Sequence, residues 1–383
     1  MFKNYFKTAI RNLRRNRAFA IINILGLVLG ISGTIVIYRI ITFEKSFDTY
    51  HTDVEQVYRM NLIQATTGVV NRGISVMHPL RKAVRTDFPE WKVAGFHNYY
   101  PGLFTYENNQ GEQKKLKEDD WMAFVEPDYF KILDHPLVAG SEKGLLEAPN
   151  TMALSTTAAD KLFGLNGSGY QEILGKTLRF ENKLNLQISA VFEAPPKNTD
   201  FGYHYLMFYE GAKIYPYAGG LERWGTINGA TKLWIKLPKG QTQQQANALL
   251  KEASKDYLAN LGVTNEDIYF ALEPIQDIHL DEETGPGGYV SESTLNALQV
   301  IALVLILTAA INFVNLATAQ SVKRAKEIGI RKVLGSHKKH LITQFLSEVF
   351  LITTLSVLLS LALSEGALIR LEPLLGYKLI NAP

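Results

Sequence analysis

Three long apolar runs stand apart from the rest of the chain. Each predicts a helix able to cross a bilayer core of about 30 Å, which takes roughly 20 residues. The first, FAIINILGLVLGISGTIVIY (Phe19 to Tyr38), holds no charged group; the second runs from about Leu295 to Leu316 and the third from about Leu341 to Leu363. A cleaved signal peptide is the competing reading of the first run, but its apolar part is too long and no small-residue cleavage site follows it. Ahead of it, Phe2, Tyr5, Phe6, Ala9, Ile10 and Leu13 recur at helical spacing with basic residues mostly on the other side. This is the pattern of an amphipathic helix at a membrane surface.

Between the first and second runs the pattern shortens. EQVYRMNLI reads as a strand, HPLRKAVRTDFPE as a short helix ended by Pro89, and WKVAGFHNYY as a second strand. The same order returns in TKLWIKL, TQQQANALLKEASKDYLANLG (closed by Gly262) and DIYFALEPI. From about Pro101 to Gly229, TMALST, KTLRFEN and LNLQISAVF alternate between Gly, Pro and Asn turns and predict a β-rich insert. Two strand-helix-strand units bracketing an insert imply an α+β domain that the chain leaves and re-enters.

Charge sets the orientation. Lys3, Lys7, Arg11, Arg14, Arg15 and Arg17 precede the first run with no acid among them, and SVKRAKEIGIRKVLGSHKKH (Ser321 to His340) carries seven Lys or Arg against Glu327. No Lys or Arg occurs from Asp256 through Val322. Basic loops stay in the cytoplasm, which puts both clusters inside and Glu44 to Thr294 outside. That exterior segment holds 24 basic and 33 acidic residues, a net of −9 in a chain of net +3, which argues against a nucleic-acid partner.

The expected organisation is a cytoplasmic amphipathic helix (1–17), a span (18–43), an exterior region (44–294), a span (295–316), a cytoplasmic segment (317–340), a span (341–363) and an exterior tail (364–383). The fold class is membrane α-helical with three spans plus an α+β extracytoplasmic region.

Chemistry is sparse. Cysteine is absent, which removes disulfides, Cys-based zinc sites and thiol nucleophiles. GSGYQEILGKT approaches a phosphate-binding loop, but the position that requires Gly is Tyr170, and GKTLRFEN reads better as a turn entering a strand. His51, His78, His97, His135, His204 and His279 lie far apart and form no metal-binding spacing. Asp119 with Asp120, and DEET at Asp281 to Thr284, read as solvated acids rather than a cation site. No catalytic residue, metal or cofactor is assigned.

The spans say more. Gly26 and Gly30 form a Gly-x-x-x-Gly step with Gly33 near the next turn, a surface for close helix packing inside the chain or in a dimer. Asn296, Gln299, Asn312, Asn315 and Glu348 need partners in an apolar medium, and helix packing is the favoured reading over a substrate path. In the basic stretch, Ile330, Val333 and Leu334 form an apolar stripe with Gly329 and Val322 on the same side, while Arg331 and Lys332 point elsewhere and Gly335 ends the helix. A charged topology anchor accounts for the basic residues but leaves the stripe exposed. A docking element accounts for both.

At these residues a family resemblance becomes specific. INFVNLATAQSVKRAKEIGIRKVLGSHKKHLITQFLSE (Ile311 to Glu348) resembles the signature of MacB/FtsX-like ABC transporter permeases, in which an R/K-E-I-G-I-R-K-x-L-G segment follows the second span. NLRRNRAFAIINILGLVLGIS resembles the family's opening, and DWMAFVEPDYFKIL and NTMALSTTAADKLFG are similar to its MacB-like periplasmic core. The arrangement is similar to the long permeases of Bacteroidota.

The resemblance implies an exterior portion made of a porter domain (44–100 and 230–294) and a β-rich sabre insert (101–229). It implies an inner-membrane, multi-pass chain that partners a cytoplasmic ABC ATPase of MacB/LolD type and pairs with a second permease module as a dimer or pseudo-dimer in membrane lipid. ATP hydrolysis outside this chain would drive the exterior domain for efflux or for lipoprotein or peptide handling. The ATPase contact would fall on Lys326, Glu327, Ile328, Gly329, Ile330, Arg331, Lys332, Leu334 and Gly335. Family modules have four spans, so the expectation is a fragment of a longer permease, or a fourth helix supplied by a partner. The rival classes are a membrane-anchored exterior sensor signalling inward and a membrane-bound enzyme.

Overall fold

A computed structural model of the chain describes residues 10–66, 69–99, 101–107, 111–119, 121–214, 223–227, 229–259, 261–263, 265–285, 290–323, 325–333 and 338–375. They fall into two compact units, Ser46–Val290 and a helical unit formed by the chain on either side of it. Residues 10–15 are helical and a turn at Asn16 leads into α1 (Arg17–Glu44). Phe2, Tyr5, Phe6 and Ala9 of the proposed amphipathic helix lie outside the described residues.

The Ser46–Val290 unit is built on one hydrogen-bonded sheet of 13 strands. The chain lays down β1 (Val57–Thr66), β2 (Val69–Gly73), α2 (Leu80–Asp87) and β3 (Lys92–Tyr99), then β4 (Gly102–Glu107), β5 (Gln113–Glu118), β6 (Met122–Val125) and α3 (Tyr129–Ile132). It continues through β7 (Leu137–Gly140), β8 (Thr151–Ser155), α4 (Thr156–Phe163), β9 (Thr177–Phe180), β10 (Leu184–Phe192) and β11 (Tyr205–Phe208). Then come β12 (Thr231–Lys236), α5 (Gln243–Ala259), β13 (Ile268–Pro274) and α6 (Ile275–Ile278). Each segment read as a strand or helix from its pattern forms that element.

The path across the sheet is β13-β1-β12-β3-β6-β11-β8-β10-β9-β4-β5, with β2 paired to β1 and β7 to β10. Strands from the two flanking segments therefore occupy one side and strands from the insert the other. They meet at the antiparallel β3–β6 ladder, where Phe96 faces Val125. Three apolar clusters follow this layout. One lies under α2 and α5 (Trp91, Ile235, Leu250, Tyr257), one within the insert (Phe104, Phe180, Leu186, Met207), and one straddles the ladder (Phe96, Val125, Phe192, Trp234). The junction is thus buried as fully as the parts it joins.

Burial explains the patterns. Central strands β6, β8 and β11 are buried at every position, as expected of strands covered on both faces, whereas β9 near the edge alternates exposed and buried. Helix α5 turns Ala246, Leu250, Ser254, Tyr257 and Leu258 inward, one apolar stripe against β13. Helix α4 is capped at one end by the Ser155 hydroxyl accepting from the Ala158 N–H, and stopped at the other by Gly164 at φ 66°.

In the helical unit, α7 (Glu292–Lys323), α8 (Ala325–Val333) and α9 (Lys338–Leu375) complete the chain. Helices α1, α7 and α9 are long and apolar enough to cross a membrane, and α1 packs against both others through a cluster that includes Leu27, Ala309 and Ile352. Helix α7 continues past Leu316 to Lys323, so the first part of the stretch read as a cytoplasmic segment extends the second span. Likewise α9 continues past Leu363 to Leu375, through most of what reads as a tail.

Candidate functional site

The three glycines of the first span face α7 of the same chain. A Cβ on Gly30 would lie 2.5 Å from the Ala309 Cβ and 3.2 Å from the Leu305 carbonyl, one on Gly33 would lie 3.3 Å from Leu305 Cδ1, and one on Gly26 would lie 3.0 Å from Asn312 Nδ2. Glycine therefore lets the two backbones approach closely enough for the Thr34 hydroxyl to reach the Ala302 carbonyl at 3.3 Å. On the other side, Ser360 of α9 donates to the Val28 carbonyl, and Asn12 donates to the Glu348 carboxylate. Asn312 thus lies over Gly26 and Glu348 has an amide partner, while Asn296, Gln299 and Asn315 are exposed on α7.

Gly30→Ala is expected to lower the melting midpoint of the purified chain, at a cost of about 1–3 kcal/mol for an overpacked contact. Adding Ala309→Gly should restore most of the loss, because Ala309 is the nearest obstacle; thermal unfolding in detergent of the wild type, single and double variants checks both.

Lys326, Glu327, Ile328, Gly329, Ile330, Arg331 and Lys332 all lie on α8, while Leu334 and Gly335 are outside the described residues. Within a nine-residue helix, Ile330 and Val333 sit one turn apart and are 54% and 89% exposed, and Val322 at the end of α7 is 71% exposed. A Cβ on Gly329 would meet nothing within 4 Å. The Val322, Ile330 and Val333 part of the stripe is therefore left largely uncovered among the described residues, at an element too short to hold itself helical by propensity.

Another group of residues escaped the sequence reading. Arg59 on β1 is fully buried; its Nη2 donates to Glu273 Oε2 at 2.6 Å and to the Thr284 carbonyl at 3.0 Å. Asn61 and the Thr284 hydroxyl donate to the same carboxylate, each at 2.7 Å. Arg72 on β2 reaches Asp281 and Glu283, so two of the acids read as solvated are paired with a strand of the sheet.

The entry of the unit is tied down as well. Asp48 accepts from Thr199 and from the Asp200 N–H, Asn198 donates to Ser46, and His279 stacks on Phe47 at 3.5 Å while its Nδ1 contacts Asp200. The first stretch of the Ser46–Val290 unit is thereby fastened to the loop between β10 and β11, and the last to β1 and β2, by charge and hydrogen bonds. Of the acidic pair in the insert, Asp119 lies 3.9 Å from Lys117, and Asp120 is outside the described residues.

The fold brings histidines together that sequence spacing left apart. His78 Nε2 and His97 Nδ1 are 3.4 Å apart, with the Tyr209 hydroxyl at 2.7 Å from His78 and the Thr231 hydroxyl at 3.0 Å from His97. His204 Nδ1 lies 2.7 Å from the Ser155 hydroxyl that caps α4. Among the described residues no group of three His, Asp or Glu could hold a metal ion. The near-P-loop is a short turn at Tyr170–Ile173 flanked by Gly169 and Gly175, both at positive φ, and GKTLRFEN enters β9.

Burial lowers His51 and His97 to about 4 and His78 and His135 to about 3, and raises Asp48 to about 7. The depressed histidines contribute stability above pH 6.5 that is lost as pH falls toward 4, while Asp48 contributes below about pH 4 and loses its share as pH rises through 7. Near pH 5 four groups take up protons on unfolding and one releases a proton. Unfolding should therefore bind roughly three protons there, and the melting midpoint should fall on acidification from 6.5 to 4. A pH series of thermal melts checks it, and His135→Phe should flatten the slope.

Two family models match the chain, the first covering most of α1 and the larger part of the Ser46–Val290 unit, the second the helices that follow it. That of the MacB-like periplasmic core domain matches residues 20–253, and that of the FtsX-like permease C-terminal region matches residues 299–382, including α8. The chain belongs to the MacB/FtsX-like ABC transporter permeases.

Similar proteins include the macrolide export ATP-binding/permease protein MacB of Bdellovibrio bacteriovorus, 28% identical over 90 residues (24% of this chain, 14% of that protein). An uncharacterized ABC transporter permease of Bacillus subtilis, YknZ, is 27% identical over 130 residues (33% of this chain, 31% of that protein). The chain thus matches less than a third of either relative's length. Among solved structures, a domain of a Porphyromonas gingivalis protein described as a permease covers 58% of this chain and 91% of its own (TM-score 0.45, 17% identity). The periplasmic region of MacB from Actinobacillus actinomycetemcomitans covers 58% and 92% (TM-score 0.38, 14% identity). Among the described residues the permease combines three long apolar helices with a mixed α/β unit that the periplasmic core model largely covers.

Proposed function

We propose that the permease couples nucleotide hydrolysis by a separate cytoplasmic ATPase to movement of its exterior domain, and that α8 is the element the ATPase grips. The observation that carries this reading is the exposed Ile330–Val333 face on a short helix between two spans, inside the segment matched by the permease model. A helix end seated in a partner's groove displaces α7 as a rigid rod. On this reading Lys326, Glu327, Arg331, Lys332, Leu334 and Gly335 complete the contact, and the chain itself hydrolyses nothing. The contacts of Arg59 with Thr284, of Arg72 with Asp281 and of Asp48 with Thr199 and Asp200 support transmission, because each ties a terminal stretch of the exterior unit to the body of that unit.

The same reading places the permease in the inner membrane with Ser46–Val290 outside and the two basic clusters inside. It also divides that exterior unit into a porter and a sabre part, and pairs the permease with a second module as a dimer or pseudo-dimer, its membrane helices in lipid. The work done outside would be efflux or the handling of a lipoprotein or peptide. Reversing charge at Arg331 and Lys332 together should abolish co-purification with the cognate ATPase; unchanged binding and coupled hydrolysis would remove α8 from the role. A sensor, by contrast, would co-purify with a signalling partner and stimulate no ATP hydrolysis.

A further inference from the structure

Two cations on one face of the exterior unit's sheet are buried with donors to spare. Lys232 on β12 is 6% exposed, yet its ammonium makes no hydrogen bond or ion pair among the described residues. Arg59 is fully buried; its Nε and Nη2 donate to Asn61, Glu273 and Thr284, and its Nη1 to nothing among the described residues. Arg59 stands opposite Trp234 in the β1–β12 ladder, and Lys232 lies two residues from Trp234, so both side chains leave the same face.

Buried donors are ordinarily satisfied and buried charges paired. Arg59 is matched by Glu273, whereas Lys232 has no such partner. Burial and then the Arg59 charge lower the Lys232 pKa to about 8, which leaves the amine cationic at neutral pH. The acid whose field reaches it, Asp200, is engaged by the His279 Nδ1 at 3.0 Å and forms no ion pair with the amine among the described residues. Neither the Arg59 Nη1 nor the Lys232 Nζ is among the unpartnered polar atoms sealed off from solvent, so each touches space that admits a water-sized particle.

What fits there is narrow. Negative charge answers both sets of N–H donors. Glu273 and Asp200 limit that charge to one, because a second would face two carboxylates. The small residual exposure of both side chains limits the ligand to a compact ion. We propose that a chloride ion sits between the Arg59 Nη1 and the Lys232 Nζ and neutralises the second of the two buried cations. This site does not depend on the α8 contact.

Thermal melts of the full chain in detergent, with gluconate exchanged for chloride at constant ionic strength, test it. The midpoint of the exterior unit, read by tryptophan fluorescence, should rise saturably, by about 3–6 °C at a roughly tenfold excess of chloride over its dissociation constant. Lys232→Met should abolish the rise, while Lys239→Met, at an exposed lysine nearby, should keep it. The readout is the dependence on chloride, so a shifted starting midpoint in either variant leaves the comparison intact. In crystals grown with bromide, anomalous scattering should place one halide between the two side chains. Equal midpoints in both salts, the same rise in Lys232→Met, or a site without bromide would each overturn the assignment and leave the donors to water.

Discussion

The permease carrying Ile330→Asp and Val333→Asp is expected to lose capture of its ATPase while its exterior unit melts as in the wild type. Val333 is 89% and Ile330 54% exposed, so the substitutions remove little packing among the described residues. Seated in a partner, each apolar side chain would contribute about 1.5–3 kcal/mol by burial. A carboxylate in its place adds the cost of a buried charge, at least several kcal/mol when unpaired. The combined loss exceeds the free energy of a micromolar complex, about 8 kcal/mol. All four tryptophans, Trp91, Trp121, Trp224 and Trp234, lie in the exterior unit, so their fluorescence melt serves as the folding control. Capture equal to wild type would show that the exposed face is not the contact.

The second large effect belongs to the buried pair. Glu273→Ala leaves the Arg59 guanidinium fully buried without its anion, and strands the Asn61 amide and the Thr284 hydroxyl with it. Breaking a buried ion pair from one side costs about 3–5 kcal/mol. In a unit of this size that lowers the melting midpoint by about 10 °C. Glu273→Gln, which keeps an acceptor, should cost less. Arg59→Met combined with Glu273→Ala should recover part of the loss, because no uncompensated charge remains. The tryptophan melt reads all four proteins, and equal midpoints for wild type and Glu273→Ala would remove the pair from the account.

What the sequence made legible was whatever repeats locally. TKLWIKL and DIYFALEPI became β12 and β13 because each is a short β-rich run bounded by turn residues, and α1, α7 and α9 were visible as unbroken apolar length. The ends of the long helices were not, because hydrophobicity marks where a helix meets lipid rather than where its hydrogen bonds stop. Polar Glu365 and Arg370 end an apolar run without ending α9. The Ile330–Val333 stripe could be read at one-turn spacing. The Arg59–Glu273 pair could not, since its members are 214 positions apart and join only when β1 pairs with β13. The Asp281–Thr284 run looked solvated for the same reason: Arg72, its partner, comes from the far end of the exterior segment.

The lack of any native cysteine allows the central claim to be tested at single sites. Val333→Cys and Lys143→Cys, one on α8 and one exposed on the exterior unit, would be placed in separate chains and treated with a membrane-impermeant maleimide in intact and in inverted vesicles. The account predicts that Lys143→Cys is labelled in one orientation and Val333→Cys only in the other, and that adding the ATPase shields Val333→Cys alone. Labelling of both sites from the same side of the membrane would contradict it.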